Sequence, residues 1–297
     1  MHTHTHGHNS NNIGWIILFN LAITAAEYVG GIFSGSLALI SDAGHNFSDV
    51  LSLILSYLGE RLSHRKATKK HSFGLKRTEV VVAFVNAVSL CGIGLIIIGE
   101  AFKRFSAGGQ ITLSVMLSVA IIGLGGNVLS VLVLKRNKDR NLNMKSIYLH
   151  LFYDALSSVF VIIASIAIAF TGWMAFDLVA SLVISLMMIW SGWGVMRDAL
   201  HIFMQGVPKG IDFDEVLNAI ASIKGVENVH DLHIWSVNSE NVFLSCHACM
   251  SEEKRSNEIN ELVREINLLL EEKYGITHSA IQFEYAGMCK PGAVCCK

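Results

Sequence analysis

His45 with Asp49 and His150 with Asp154 repeat one pattern, His-x-x-x-Asp, inside stretches that are otherwise apolar. At about 100° per residue, helix positions four apart lie nearly above one another, so each helix offers an imidazole and a carboxylate from one face. An ionisable group at membrane depth costs roughly 2.5–3.5 kcal/mol on insertion scales, so two matched pairs call for a shared purpose. Two imidazole nitrogens and two carboxylate oxygens form a four-ligand set of borderline hardness. It suits tetrahedral Zn2+ better than octahedral Mg2+ or thiolate-loving Cu+, and Cd2+ and Co2+ accept similar sites. Asp42 and Asn46 fall on the same helical stripe as His45. Structural ion pairs bridging helices are the competing reading, which explains one pair more easily than two.

These residues need helices long enough to carry them through hydrocarbon, and the chain supplies them. Its 297 residues are 52% hydrophobic and only 16% charged, with a mean hydropathy of +0.47, too apolar for an ordinary soluble domain of this length. Six apolar stretches, 13–33, 37–58, 80–102, 111–134, 146–171 and 174–196, reach the roughly 20 residues that a span of about 30 Å requires. Histidines and asparagines precede the first, without a basic region or a small-residue cleavage site, so it reads as a retained span. Arg61, Arg65, Lys66, Lys69, Lys70, Lys76 and Arg77 follow the second stretch, and Lys135, Arg136, Lys138, Arg140 and Lys145 follow the fourth. The opposite connections hold Lys103 and Arg104 alone. That bias places both termini in the cytoplasm. A net charge of −1 gives no global field for nucleic acid, and no phosphate-binding glycine loop points to a nucleotide.

After the sixth stretch, Gly206-Val-Pro-Lys-Gly210 marks a linker. Beyond it, Val216, Leu217, Ile220 and Ile223 recur at helical spacing, and Ile259, Leu262, Val263, Ile266 and Leu270 make a stronger stripe. Between them, 229–237 and 242–250 read as a hairpin around Asn238-Ser-Glu-Asn241, and 279–285 as a third strand. The fold class is an α-helical membrane protein of six transmembrane helices with a C-terminal α+β domain in the order α-β-β-α-β. The domains are a His-rich N-terminus at 1–12, a membrane domain at 13–205, a cytoplasmic domain at 206–288 and a Cys-containing tail at 289–297. A domain of about 80 residues gains stability from pairing with a second copy, which predicts a homodimer.

Histidines 2, 4, 6 and 8 read as native metal-collecting sequence, the alternative being part of an expression tag, which the interrupting threonines and glycine make less fitting; Cys289, Cys295 and Cys296 near the chain end could join them. In a reducing cytoplasm the cysteines should be thiols. Cys246 and Cys249 fall on opposite faces of a strand, which makes Cys246 core and not a ligand. Glu27, Asn86, Glu100, Asn127 and Asp177 read as helix-to-helix polar contacts or supporting partners, none a ligand. Glycines 30, 31, 123, 125 and 126 allow close helix approach. His64 and His71 sit in the basic loop, either as a transient metal waystation or in a solvated segment held near anionic headgroups.

Ser36-Leu-Ala-Leu-Ile-Ser-Asp-Ala-Gly-His-Asn-Phe-Ser-Asp49, His71-Ser-Phe-Gly-Leu-Lys-Arg-Thr-Glu79, His150-Leu-Phe-Tyr-Asp154 and Val229-His-Asp-Leu-His-Ile-Trp-Ser236 together resemble the cation diffusion facilitator family, over nearly the whole chain. The resemblance implies six spans and a cytoplasmic metallochaperone-like domain, in a dimer that exports divalent metal against incoming protons. It further implies that His45, Asp49, His150 and Asp154 form the transport site, in the form of the zinc-preferring branch. In the tail, His230, His247 and Glu284 resemble a cytoplasmic zinc site of some members; the alternative is ordinary sheet-surface histidines. His233 and His278 read as the latter.

The expectation is thus a secondary transporter in a bilayer, the cell or inner membrane, with Zn2+ as substrate and regulatory ligand and protons as exchange partner. Metal and protons compete for the same atoms, because coordination needs neutral imidazoles and ionised carboxylates. Two rival classes remain open. An intramembrane metalloenzyme would need more ligands, typically with Glu-x-x-His spacing. A membrane-tethered zinc sensor would not need ligands inside the membrane at all.

Overall fold

A computed structural model describes residues 10–63, 65–107, 110–135, 142–250 and 255–285. Within these helices, the side chains of residues 10–17, 52–53, 56–58, 60, 106–107, 133–135 and 142–153 are outside the description. Six long helices come first: α1 (Ser10–Ser34), α2 (Leu37–Ser63), α3 (Thr78–Ala107), α4 (Leu113–Lys135), α5 (Leu142–Thr171) and α6 (Ala175–Phe203). Among the described residues, four helical stretches are long and apolar enough to cross a membrane: Thr78–Phe105, Leu113–Leu132, Asp154–Thr171 and Ala175–Phe203. The described side chains of α1, residues 18–34, form a shorter apolar stretch. α2 is outside these groups, its apolar run interrupted by Asp42, His45, Asn46 and Asp49.

The chain divides into two compact units, one of residues 1–57 and 85–196 and another of residues 58–84 and 197–297. The first buries polar groups beside an apolar core that includes Leu39, Met116 and Ile184, and turns large apolar side chains outward. Glu27, Asp42, Asn46, Asp154, Ser157, Ser158 and Asp177 are buried while Ile96, Phe170 and Trp190 are exposed, the arrangement a hydrocarbon solvent selects. Glycines set the spacing of α1 and α4: a Cβ at Gly123 would strike the Glu27 carboxylate, and one at Gly126 the side chain of Ile23. Gly30 faces Val119 of α4, Gly31 faces Ile40 of α2, and Gly125 meets nothing.

Gly35, at φ 71°, closes the turn between α1 and α2 in the left-handed region that glycine adopts without penalty. Ser36 then caps α2, its hydroxyl accepting from Leu39 N at 3.1 Å. A carboxylate from α6 completes the cap. Asp177 accepts from Ser36 Oγ at 2.5 Å, Leu37 N at 2.8 Å and Ala38 N at 3.2 Å.

In the second unit, α7 (Phe213–Ala221), β1 (Val226–Ser236), β2 (Val242–Met250), α8 (Ser256–Tyr274) and β3 (Ile276–Tyr285) follow the expected α-β-β-α-β order. Asp212 caps α7 through Glu215 N at 2.9 Å. α8 ends at Gly275, φ 65°, and β3 starts at once, three residues before the expected Ser279. β1 and β2 are antiparallel, β2 and β3 parallel, in the order β1-β2-β3; the parallel pair requires the crossover that α8 provides. Val216 and Ile220 of α7 and Leu262, Ile266 and Leu270 of α8 pack with Leu232, Ile234, Leu244, Cys246 and Ala248 of the sheet. Burying each such aliphatic side chain stabilises by about 1.5–3 kcal/mol.

Candidate metal centres

Each His-x-x-x-Asp pattern was expected to present two ligands from one helix face, and α2 does so. His45 Nδ1 lies 3.5 Å from Asp49 Oδ2, one turn along, and His45 Nε2 lies 3.6 Å from Asp154 Oδ1 of α5. The three residues bring one ligand atom each to within 4.8 Å of one another. His150 belongs to α5, four residues before Asp154, but its side chain lies outside the described residues. Asp154 is buried, and His45 and Asp49 are each 18% exposed.

Polar contacts fix the helices that carry this trio. Asp42, one turn before His45, accepts from Ser157 Oγ at 2.5 Å and from Ser158 Oγ at 3.1 Å, both on α5 next to Asp154. Asn46 donates through Nδ2 to Glu27 Oε2 of α1 at 2.8 Å. Asn127 of α4 donates to Ser158 Oγ at 3.4 Å. Glu100 pairs with Arg104 along α3 at 3.3 Å. Sequence spacing placed Asp42 on the correct face; its two serine partners, 115 and 116 residues away, gave no local signal. Asp177 supports the site from a distance by capping α2.

The second cluster is on the sheet. His230 of β1 and His247 of β2 are direct cross-strand partners, and β3 brings Glu284 alongside, opposite Cys249. His247 Nδ1 is 2.7 Å from Glu284 Oε1 and His230 Nε2 is 3.3 Å from Glu284 Oε2. Gln282 Nε2 also donates to Glu284 Oε1, at 3.0 Å. These three residues too offer ligand atoms within 4.8 Å of one another. Two imidazoles and a carboxylate converging so closely fit a borderline divalent ion with one further position open. His233, expected to be a plain surface residue, sits 3.3 Å from Asp231 Oδ1, and His278 lies against Phe243 with the rings tilted at 55°.

The other candidates separate. His71 is exposed in a turn closed by its N–H to Thr68 O at 3.1 Å. His64, the N-terminal histidines, Cys289, Cys295 and Cys296 lie outside the described residues. Cys246 is a buried thiol, as its core-facing position implied, and burial pushes it up to about 12. The thiol expectation fails at Cys249, which is disulfide-bonded; on the opposite face of β2 from Cys246, it is not walled in by α7 and α8.

Residues 15–204 match the family model of the cation efflux transmembrane domain, and residues 208–286 match that of the cation efflux protein, cytoplasmic domain. The chain belongs to the cation efflux family, that is, the cation diffusion facilitators. It is 38% identical to the cadmium, cobalt and zinc/H(+)-K(+) antiporter of Bacillus velezensis, over 100% of this chain and 96% of that one. It is 35% identical to the metal cation efflux system protein CzcD of Cupriavidus metallidurans, over 96% of this chain and 90% of the relative. Against the zinc transporter ZitB of Escherichia coli the identity is 34%, over 96% and 92%. A solved metal-bound C-terminal domain of the CzcD transporter has 36% sequence identity, covers 25% of this chain and 99% of its own, and aligns with a TM-score of 0.23. Membership in the cation efflux family makes this an integral membrane cation transporter and not an enzyme.

Proposed function

We propose that the protein exports divalent cations from the cytoplasm, Zn2+ first with Cd2+ and Co2+ within its range, in exchange for protons by alternating access. The observation that carries this reading is the convergence of His45, Asp49 and Asp154 from two helices inside an apolar bundle. His150, one turn from Asp154, completes a tetrahedral set of two imidazoles and two carboxylates. Metal and protons compete for these same atoms, so proton entry from the far side drives release. The printed names of the Bacillus velezensis and Escherichia coli relatives, an antiporter with protons and a zinc transporter, support the substrate and the exchange partner.

The protein works as a homodimer in the cell or inner membrane with both termini in the cytoplasm, as the Lys and Arg bias of its connections supports. His230, His247 and Glu284 hold a regulatory metal ion, and Cys289 and Cys295 collect metal at the chain end. Reconstitution in liposomes with imposed pH gradients tests the proposal. Zn2+ flux should follow the gradient and vanish in Asp154→Ala. Flux indifferent to the gradient overturns proton exchange, and flux retained in Asp154→Ala moves the function to the sheet site, as in a tethered sensor.

A further inference from the structure

Each imidazole of the sheet trio presents one ring nitrogen to Glu284 and the other to a second acceptor. His230 turns Nδ1 to Cys249 Sγ at 3.7 Å. His247 turns Nε2 to Asp231 Oδ2 at 3.8 Å. Asp231 reaches that place through an irregularity of β1. The ladder pairs His230 with His247 and then His233 with Ser245, so Asp231 and Leu232 oppose Cys246 alone, a bulge with one extra residue. Asp231 takes φ 50°, a left-handed conformation that in such bulges normally falls to glycine. The bulge keeps Leu232 in the core, 2% exposed, and leaves Asp231 beside His230 on the opposite face. Its carboxylate there lies 3.3 Å from His233 Nε2 and faces His247 Nε2 at 3.8 Å, longer than a hydrogen bond but one small side-chain shift from it.

A histidine that binds metal through Nδ1 must carry its hydrogen on Nε2. Carboxylates that accept this hydrogen fix the ring and its tautomer, and losing one typically weakens metal binding 10–100-fold. We propose that Asp231 is a positioning residue for a divalent ion held by His230, His247 and Glu284, closing on His247 Nε2 to accept its hydrogen when the ion binds and so holding the Nδ1 lone pair toward the ion. The proposal rests on reading that trio as a metal site. It explains why a left-handed position carries a carboxylate: glycine would relax the backbone and lose the acceptor.

The test uses the full chain in an Asp154→Ala background, which silences the intramembrane trio, and reads Zn2+ affinity by chelator competition. Asp231→Asn retains a residue that tolerates the left-handed region, and Asp231→Gly relaxes it. Both should bind Zn2+ roughly tenfold or more weakly, with the unfolding midpoint of the metal-free protein unchanged or, for glycine, raised. Unchanged affinity in either variant overturns the proposal, as does a loss of affinity that merely tracks a lower midpoint. Glu284→Ala separates the two layers. If it weakens binding and Asp231→Asn does not, the positioning role alone fails; if it too leaves affinity intact, the metal reading of the trio fails.

Discussion

The two trios both combine imidazole and carboxylate, one His with two Asp in the bundle and two His with one Glu in the sheet, and they differ in what holds them. In the sheet, His230 and His247 are partners in a backbone ladder, and His247 already meets Glu284 at 2.7 Å. In the bundle, His45 lies between Asp49 and Asp154 at 3.5 and 3.6 Å, and the two helices that carry them are joined by side chains alone. A ladder fixes register residue by residue, whereas packed helices tilt and slide as rods. Under the proposed function, the sheet trio suits an ion that is kept and the helix trio one that is let go.

The largest effect expected from that contrast is in Asp154→Ala. Vesicle flux should fall to background while the sheet site still loads, measured as Zn2+ uptake and chelator competition on one preparation. Loss of both would erase the distinction. Next, Glu284→Ala should weaken sheet binding more than about 100-fold, since it removes a direct ligand where outer partners alone are worth 10–100. Flux at saturating Zn2+ should persist, and its collapse would make the sheet trio part of the transport path.

A smaller effect follows from replacing both hydroxyls on α5 by Ser157→Ala and Ser158→Ala. Asp42 is then left buried without its two donors, at a cost of about 1–3 kcal/mol, read as a lower unfolding temperature in detergent. An unchanged midpoint would mean the helices are held together otherwise. Smallest is a chemical probe of the sheet core. The Cys246 thiol is raised from 9.0 to about 12, so the folded protein keeps its proton while the unfolded chain ionises near 9. Stability from this group is present below about pH 9 and is lost as pH rises toward 12. Alkylation near pH 8 should accordingly spare Cys246 until the domain is denatured; rapid labelling of native protein would show the core to be looser than its packing.

Much of this was legible in the residue pattern, for identifiable reasons. Helical period alone put Asp42, His45, Asn46 and Asp49 on one stripe, and strand alternation put Cys246 in the core and His230 and His247 on the other face. The pairing of Asp42 with Ser157 and Ser158 and the capping of α2 by Asp177 were not legible, because they join residues more than a hundred positions apart in sequence. The bulge escaped for a different reason. Nothing in Val229-His-Asp-Leu-His-Ile announces a positive φ at Asp231, since the signal is usually a glycine and here the position carries a carboxylate. β1 and β3 also each begin three residues earlier than the alternation indicated, at Val226 and Ile276, where Gly225 and Gly275 end the preceding turns.

The cap that Asp177 places on α2 makes that end of the helix a pivot. Three donors from Ser36, Leu37 and Ala38 meet one carboxylate, so swinging α2 is easier than drawing it away from α6. His45 stands about 12 Å along the lever from Leu37, at about 1.5 Å per residue. A swing of about 10° carries it about 2 Å by that geometry, comparable to the length of a metal–nitrogen bond. Under the proposed function, a modest rocking of one helix would be enough to loosen the grip on the cargo without unfolding a single turn.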